Sequence, residues 1–317
     1  MGKKARTKAK ATPTGDAPGP RQPCPCGSGR RYKACHGSSD VAAPYVFRSF
    51  EGLPGECDWV AMREFVPAAR AGLTLCSDAY DGAASDRDVS AVTVLPGIAP
   101  AQVRDNGDVW VAVQVTQQSG DPSRDFAEAL RLALAGEKGS TVVMPDLPGP
   151  GPRLQDVVEL TAGFDVEVLE GFDFWFEDST EEEASVAASL DTLNSSIEPT
   201  SRLQSVDAAF WTSVGTKEHL RWVMPHDEEA LLTALARLHV ADGDRLGDES
   251  RLVGSFRAHG LLVPVWDLPV GTGAAALEEP AAAFADRLAD ALAEGSALTD
   301  QERSARNGLA NRQITIR

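Results

Sequence analysis

With 317 residues, 43% of them hydrophobic, the chain is long enough to bury a sizeable core, as one large domain or two lobes. Its net charge of −17 is unevenly placed: residues 1–40 carry +7 and the remainder −24, so only the head can attract polyanions and a dedicated nucleic-acid binder is disfavoured. No stretch approaches the ~20 apolar residues needed to cross a bilayer, which predicts no membrane insertion.

Residues 1–22 read as a disordered, flexible basic arm. Lysines and arginines alternate with Ala and Thr, and the Pro/Gly-rich Ala11–Gln22 follows, a composition too polar to offset the entropy of ordering. A basic front followed by prolines and glycines, with no apolar run, predicts no export signal and a cytoplasmic protein.

Residues 23–38 are a predicted zinc knuckle. Pro23–Gly37 reads Pro-Cys-Pro-Cys-Gly-Ser-Gly-Arg-Arg-Tyr-Lys-Ala-Cys-His-Gly. Cys24, Cys26, Cys35 and His36 put three thiols and an imidazole within thirteen residues, a donor set that favours zinc among the common ions. Pro25 holds the chain extended between two sulfurs, and Gly27-Ser28-Gly29 allows a turn whose amides can bond the thiolates. Arg30–Ala34 can then form the helical turn that delivers Cys35 and His36. A disulfide framework fits poorly, because three cysteines cannot all pair and a bridge across one residue is strained. Cys57 and Cys76, the remaining cysteines, read as small buried hydrophobes in a reducing compartment. Three thiolates, a neutral imidazole and Zn2+ sum to about −1. Arg30, Arg31 and Lys33 surround them, so the outer face should be basic and suited to weak RNA contact or to an acidic protein groove.

This stretch resembles the SEC-C motif, the small zinc module found at the C-terminal tail of the SecA preprotein translocase motor and on many unrelated proteins. Pro23, Cys24, Pro25, Cys26, Gly27, Ser28, Gly29, Tyr32, Cys35, His36 and Gly37 stand where the motif has them. The resemblance implies zinc ligation by Cys24, Cys26, Cys35 and His36 and docking to a protein or ribosome partner, in translation or protein export. It implies no motor, since no Gly-x-x-x-x-Gly-Lys-Ser/Thr phosphate cradle is present. The whole chain is similar to an actinobacterial family of uncharacterised proteins with an N-terminal SEC-C module ahead of a long acidic body.

The body is predicted to be α+β, with a first lobe over 44–165 and a second over 166–317. Cys57–Ala69 has helical spacing with Asp58 as its cap, and Leu73–Cys76 and Val89–Leu95 read as strands. A strand–turn–strand–helix unit then recurs loosely, which predicts antiparallel-rich sheets. Its first copy is Val89–Val103, the turn Asp105–Asp108, Val109–Thr116 and a helix from Asp121-Pro122 to Ala135. Its second is Ala208–Val214, a turn over Gly215–Glu218, His219–Met224 and a helix from Asp227 to Val240. Its third is Leu252–Ala258, a turn at His259-Gly260, Leu261–Trp266 and a helix entered at Glu279-Pro280. Pro145–Pro152 marks a stiff loop and a lobe boundary. Phe164–Leu169 and Gly171–Phe176 follow as strands, with Phe172, Phe174 and Phe176 on one core-facing side. Ala184–Asn194 reads as a helix, and Thr299–Arg317 as a short helix ending in an edge strand.

No catalytic residue is predicted. The chain has no paired-histidine metalloenzyme spacing, no Gly-x-Ser-x-Gly elbow and no dinucleotide fingerprint. His226, between a strand end and a helix start, is the residue around which an enzyme's site could form; the plainer reading pairs it with Glu228 or Glu229. The six tryptophans read as core. The preferred reading is a cytoplasmic zinc-binding adaptor, with an enzyme localised by its knuckle as the alternative. Metal analysis of the reduced protein should give one zinc per chain, and Cys35→Ser should lose it. Such sites hold small modules by about 10–16 kcal/mol of apparent free energy, so chelation should disorder the head and leave the melting of the body nearly unchanged.

Overall fold

Two five-stranded sheets carry the body, built one after the other along the chain. The computed structural model describes residues 45–82, 87–116, 118–144, 147–176, 190–312 and 314, so the predicted arm and knuckle lie outside the described residues. The first sheet contains β1 (Ala69–Leu73), β2 (Val89–Val92), β3 (Ala101–Val103), β4 (Val109–Ala112) and β5 (Val166–Val168), in the order β3-β4-β2-β1-β5. The second contains β6 (Thr200–Arg202), β7 (Ala209–Ser213), β8 (Glu218–Trp222), β9 (Arg251–Ala258) and β10 (Leu261–Leu268), in the order β6-β7-β8-β10-β9. Neighbouring strands are antiparallel, except β2 and β4, which run parallel. The helices are α1 (Glu56–Glu64), α2 (Pro122–Leu134), α3 (Glu228–Val240), α4 (Glu278–Ala293) and α5 (Asp300–Asn311). The body is therefore α+β with antiparallel-rich sheets. None of the described helices is long and apolar enough to cross a membrane.

All three strand–turn–strand–helix units exist as elements: β3–β4–α2, β7–β8–α3 and β9–β10–α4. The first differs in one respect, because the expected strand Val89–Val103 is two strands. Pro96 has no N–H to give a ladder, and Gly97 takes a positive φ of 65°, so the chain turns there and β2 pairs alongside β4. At the β3–β4 tip, the Asn106 side chain accepts from the Asp108 amide at 2.9 Å. At the β9–β10 tip, His259 (φ 46°) and Gly260 (φ 81°) are both left-handed, as a tight two-residue hairpin requires. A Cβ on Gly260 would come within 2.9 Å of the Cβ of Arg48, so the site admits nothing larger.

The helix starts vary in how their acids are used. Asp227 caps α3 as expected, accepting from the Ala230 amide at 3.0 Å. Asp121 stands at the N-cap position of α2 but turns its carboxylate to Arg153, at 2.6 Å. Helix α4 begins at Glu278, one residue before the expected Glu279, and the Glu278 carboxylate accepts from the Gln204 and Ser205 amides. Thr299 and Glu302 cap α5 reciprocally. Beyond it, Arg312 accepts from Ser255 and Ile314 donates to Ser255, which lays this end of the chain along β9.

Helix α1 lies in the largest core. Trp59, Val60, Ala61 and Met62 are consecutive and at most 1% exposed, which no helix lying on a surface can achieve at 100° per residue. That core draws Val89 and Val111 from the first sheet and Phe210 and Val263 from the second. The Trp59 ring stacks on Phe164, with centroids 4.4 Å apart, and meets the edge of Phe126. The Phe65 ring stands edge-on to Phe210 and Phe256. Asp58 is not the cap: the helix starts two residues earlier, after Gly55, so Asp58 falls inside the first turn and is buried. There it receives the Arg202 guanidinium of β6 at 2.9 and 3.2 Å.

The outer face of the second sheet packs on α3, α4 and α5, with Trp222, Trp266 and Phe284 in mutual contact. The outer face of the first sheet, Val92, Trp110 and Ala112, is covered by Phe172, Phe174 and Trp175. Two further expectations change in detail. Gly171–Phe176 is not a strand, because its last four residues form a 3-10 turn (Asp173–Phe176) that buries the adjacent Phe174 and Trp175 together. The core role foreseen for Phe172 and Phe174 survives that change. Strand β1 covers Ala69–Leu73 instead of Leu73–Cys76, since its small Ala and Gly residues give little hydrophobic signal although Ala69 and Ala71 are buried. The expected helix Ala184–Asn194 is helical over its described part, 190–194. Strand β5 returns to β1, so the first sheet includes residues on both sides of the Pro-rich loop.

The Asp58–Arg202 pair should be expensive to break and cheap to replace. Asp58→Ala strands a half-buried guanidinium and should lower stability in urea unfolding by about 3–5 kcal/mol. The double replacement Asp58→Leu with Arg202→Met should recover most of that loss.

Candidate functional site

The sequence-predicted ligands Cys24, Cys26, Cys35 and His36, and the basic residues Arg30, Arg31 and Lys33, lie outside the described residues. Among the described residues, no group of three or more His, Cys, Asp or Glu could hold a metal ion. His226 is half-buried, and burial lowers its pKa. Its two expected partners are engaged elsewhere: Glu228 with Arg257 at 2.6 Å and Glu229 with Arg306 at 3.2 Å. The other three body histidines each sit beside a carboxylate, His219 with Asp267, His239 with Asp244 and His259 with Glu64. Cys57 and Cys76 are free and partly buried against the main core, and burial pushes the Cys57 thiol up to about 12, which keeps it protonated.

The feature of the body best suited to chemistry is a cavity of about 370 Å³. It opens between the C-terminal end of α1, the first turns of α2, and the segments 96–100 and 141–144. Phe50, Val113, Phe126 and Ala129 give it apolar walls. Ile98 (49% exposed) and Val143 (76% exposed) stand at its rim. Pro96 and Gly97 shape one side, so the turn that splits β2 from β3 also forms part of the cavity wall.

Two charged side chains enter this apolar space. Arg63 lies in the last turn of α1, and its guanidinium donates to the carbonyl of Val113, just past β4. Burial lowers its pKa while the Glu64 charge, and after it that of Asp125, pulls the other way. Asp125 lies in the first turn of α2, where the helix dipole favours an anion, and is 5% exposed. One of its oxygens, Oδ2, accepts from the Ser119 amide at 2.8 Å. The other, Oδ1, is buried with no hydrogen-bond partner. Burial pushes the Asp125 carboxyl above the usual carboxylate range, against the Ser119 hydrogen bonds and the Arg63 charge. The guanidinium and the carboxylate attract each other through space without closing into an ion pair. Among the described residues no Ser, Cys or His lines the cavity; Thr116 and Thr141 add two hydroxyls, and the arrangement offers recognition, a donor group and a free acceptor in one apolar space.

Sequence reasoning missed both residues. Arg63 carried a signal, as the one cation inside the apolar run Trp59–Val66. Asp125 carried none, because an acid in a helix's first turn is what the dipole already explains.

The fold and site together define an acidic α+β body with a cysteine-rich module ahead of it. The chain belongs to a family of unknown function, DUF5926, whose model matches residues 49–317. A SEC-C motif, a type of module that often binds zinc, matches residues 21–38, as the resemblance of Pro23–Gly37 implied. No curated protein and no solved structure matches the chain.

A carboxyl whose folded pKa is raised stabilises the protein least when ionised. Between the unfolded value and the raised folded value the native state holds the proton more often, so stability falls as pH rises through that window. Asp125→Asn keeps an oxygen for the Ser119 amide and removes the buried charge. It should raise the melting temperature at neutral pH and flatten the loss of stability above about pH 4, read by thermal scans across pH.

Proposed function

We propose that this chain is a zinc-binding cytoplasmic adaptor whose SEC-C knuckle docks onto a protein or ribosome partner, in translation or protein export, while the acidic body presents a second surface. The observation that carries this reading is the SEC-C match over 21–38, with all four expected donors in place. Cys24, Cys26, Cys35 and His36 would hold the metal, and the chemistry of that set, three thiolates and an imidazole, fits zinc. Zinc in a closed four-ligand shell supplies folding energy and leaves no open position for a substrate, which suits docking and not catalysis.

Charge supports the same assignment of surfaces. The head carries +7 and the rest of the chain −24. A polyanion such as ribosomal RNA would meet Arg30, Arg31 and Lys33 and be repelled by the body. An acidic protein groove would be read by the same three side chains.

Co-sedimentation of the full chain with ribosomes at two salt concentrations tests this. The wild type should pellet at low salt and be released as salt rises. Changing Arg30, Arg31 and Lys33 together to Glu should weaken pelleting and leave zinc content unchanged, since none is a ligand. Loss of three phosphate contacts corresponds to a log–log salt slope shallower by about 2–3. Equal pelleting by the triple variant and the wild type would show that Arg30, Arg31 and Lys33 do not make the contact.

A further inference from the structure

We infer that the cavity between α1 and α2 binds a small apolar molecule headed by an uncharged carboxamide, whose carbonyl takes the Arg63 guanidinium and whose N–H fills the vacant Oδ1 of Asp125. This site is independent of the knuckle and does not rest on the adaptor reading.

Three observations lead there. First, Asp125 Oδ1 is a buried acceptor with no partner, on a residue only 5% exposed that lines the cavity. Buried polar atoms are nearly always satisfied, and an ionised oxygen facing an apolar space is the costliest kind to leave empty. A ligand N–H supplies what the protein withholds. Second, the Arg63 guanidinium lines the same cavity and makes one hydrogen bond, to the Val113 carbonyl, which leaves four of its five N–H groups to give. A guanidinium and a carboxylate that attract each other without pairing leave room for a group offering an acceptor to one and a donor to the other.

Third, the charges choose among possible heads. Arg63 and Asp125 sum to zero, so a ligand carboxylate would meet Asp125 and a ligand ammonium would meet Arg63, each desolvated in an apolar pocket. An uncharged amide meets neither penalty and places its oxygen and its N–H side by side. The walls fix the rest of the molecule. Phe50 and Phe126 line a space of about 370 Å³, at the small end of ligand pockets, which suits a single aromatic or alicyclic body. The exposed Ile98 and Val143 at the rim extend the apolar surface outward along the ligand's path.

The test is calorimetric titration of the full-length protein with three probes of one shape: phenylacetamide, phenylacetate and phenethylammonium. Phenylacetamide should bind saturably and the two charged probes at least about tenfold more weakly. Asp125→Asn retains an oxygen for the Ser119 amide and turns an NH2 into the cavity beside Arg63, so the preference should reverse towards phenylacetate. Ala129→Leu narrows the apolar wall and should remove binding of every probe while the circular dichroism spectrum is kept. The comparison of probes on the wild type decides the matter even if a variant folds poorly. Equal affinities for the three probes, or no saturable binding of phenylacetamide, would overturn the inference, as would a preference unchanged by Asp125→Asn.

Discussion

The middle turn of helix α1 is enclosed on every side, and most of the body's architecture follows from giving it that enclosure. Four consecutive residues, Trp59 to Met62, are at most 1% exposed, so one sheet cannot cover them and a second must close over the far side. The cost falls on its polar residues. Asp58 is paired to Arg202 of β6, Arg63 to the Val113 carbonyl and Glu64 to His259 in the β9–β10 turn. A buried ion pair contributes little net stability, because desolvating the charges offsets their attraction. What it supplies is a defined seat: a helix that slid by one residue would strand each of these charges. The His259 hydrogen bond also holds Glu64 below the usual carboxylate range, against the opposing effect of burial.

One local recipe serves three hairpin–helix units and gives two different outcomes. Units two and three lie in one sheet, joined through β8 and β10, and their helices share a core with α5. Unit one is interrupted at Pro96-Gly97, pairs β2 with β4 in parallel, and leaves the space beside the break that α2 only partly fills. The cavity is therefore a product of the exception. Two charges placed in that space, one of them with an oxygen left without a partner, lower stability in a way that packing alone does not demand; sites of function are where such costs are usually kept.

The two ends of the molecule follow separate physical logics. The head carries the SEC-C donors Cys24, Cys26, Cys35 and His36 and a net charge of +7 in its sequence, and a module built on a metal would need no hydrophobic core. The acidic body has a conventional core in three hydrophobic clusters and strong negative charge outside. An adaptor of this build would choose its partner at the head by charge and keep the body from adhering to the same polyanion.

Sequence by itself determined what is local. The spacing of Cys24, Cys26, Cys35 and His36 marked the SEC-C motif, because a metal site within thirteen residues is written in the order of its ligands. Hairpins at Asn106-Gly107 and His259-Gly260 and the cap at Asp227 were legible for the same reason: turn and cap chemistry act over two to four residues. Tertiary structure decided what depends on distant partners. Asp58 looked like a cap until Arg202, 144 positions away, became its neighbour. Phe174 and Trp175 looked like opposite faces of a strand until the first sheet buried both in one turn. The meeting of Arg63 with Asp125 has no local signature at all, since it exists only because α1 and α2 converge at the break between β2 and β3.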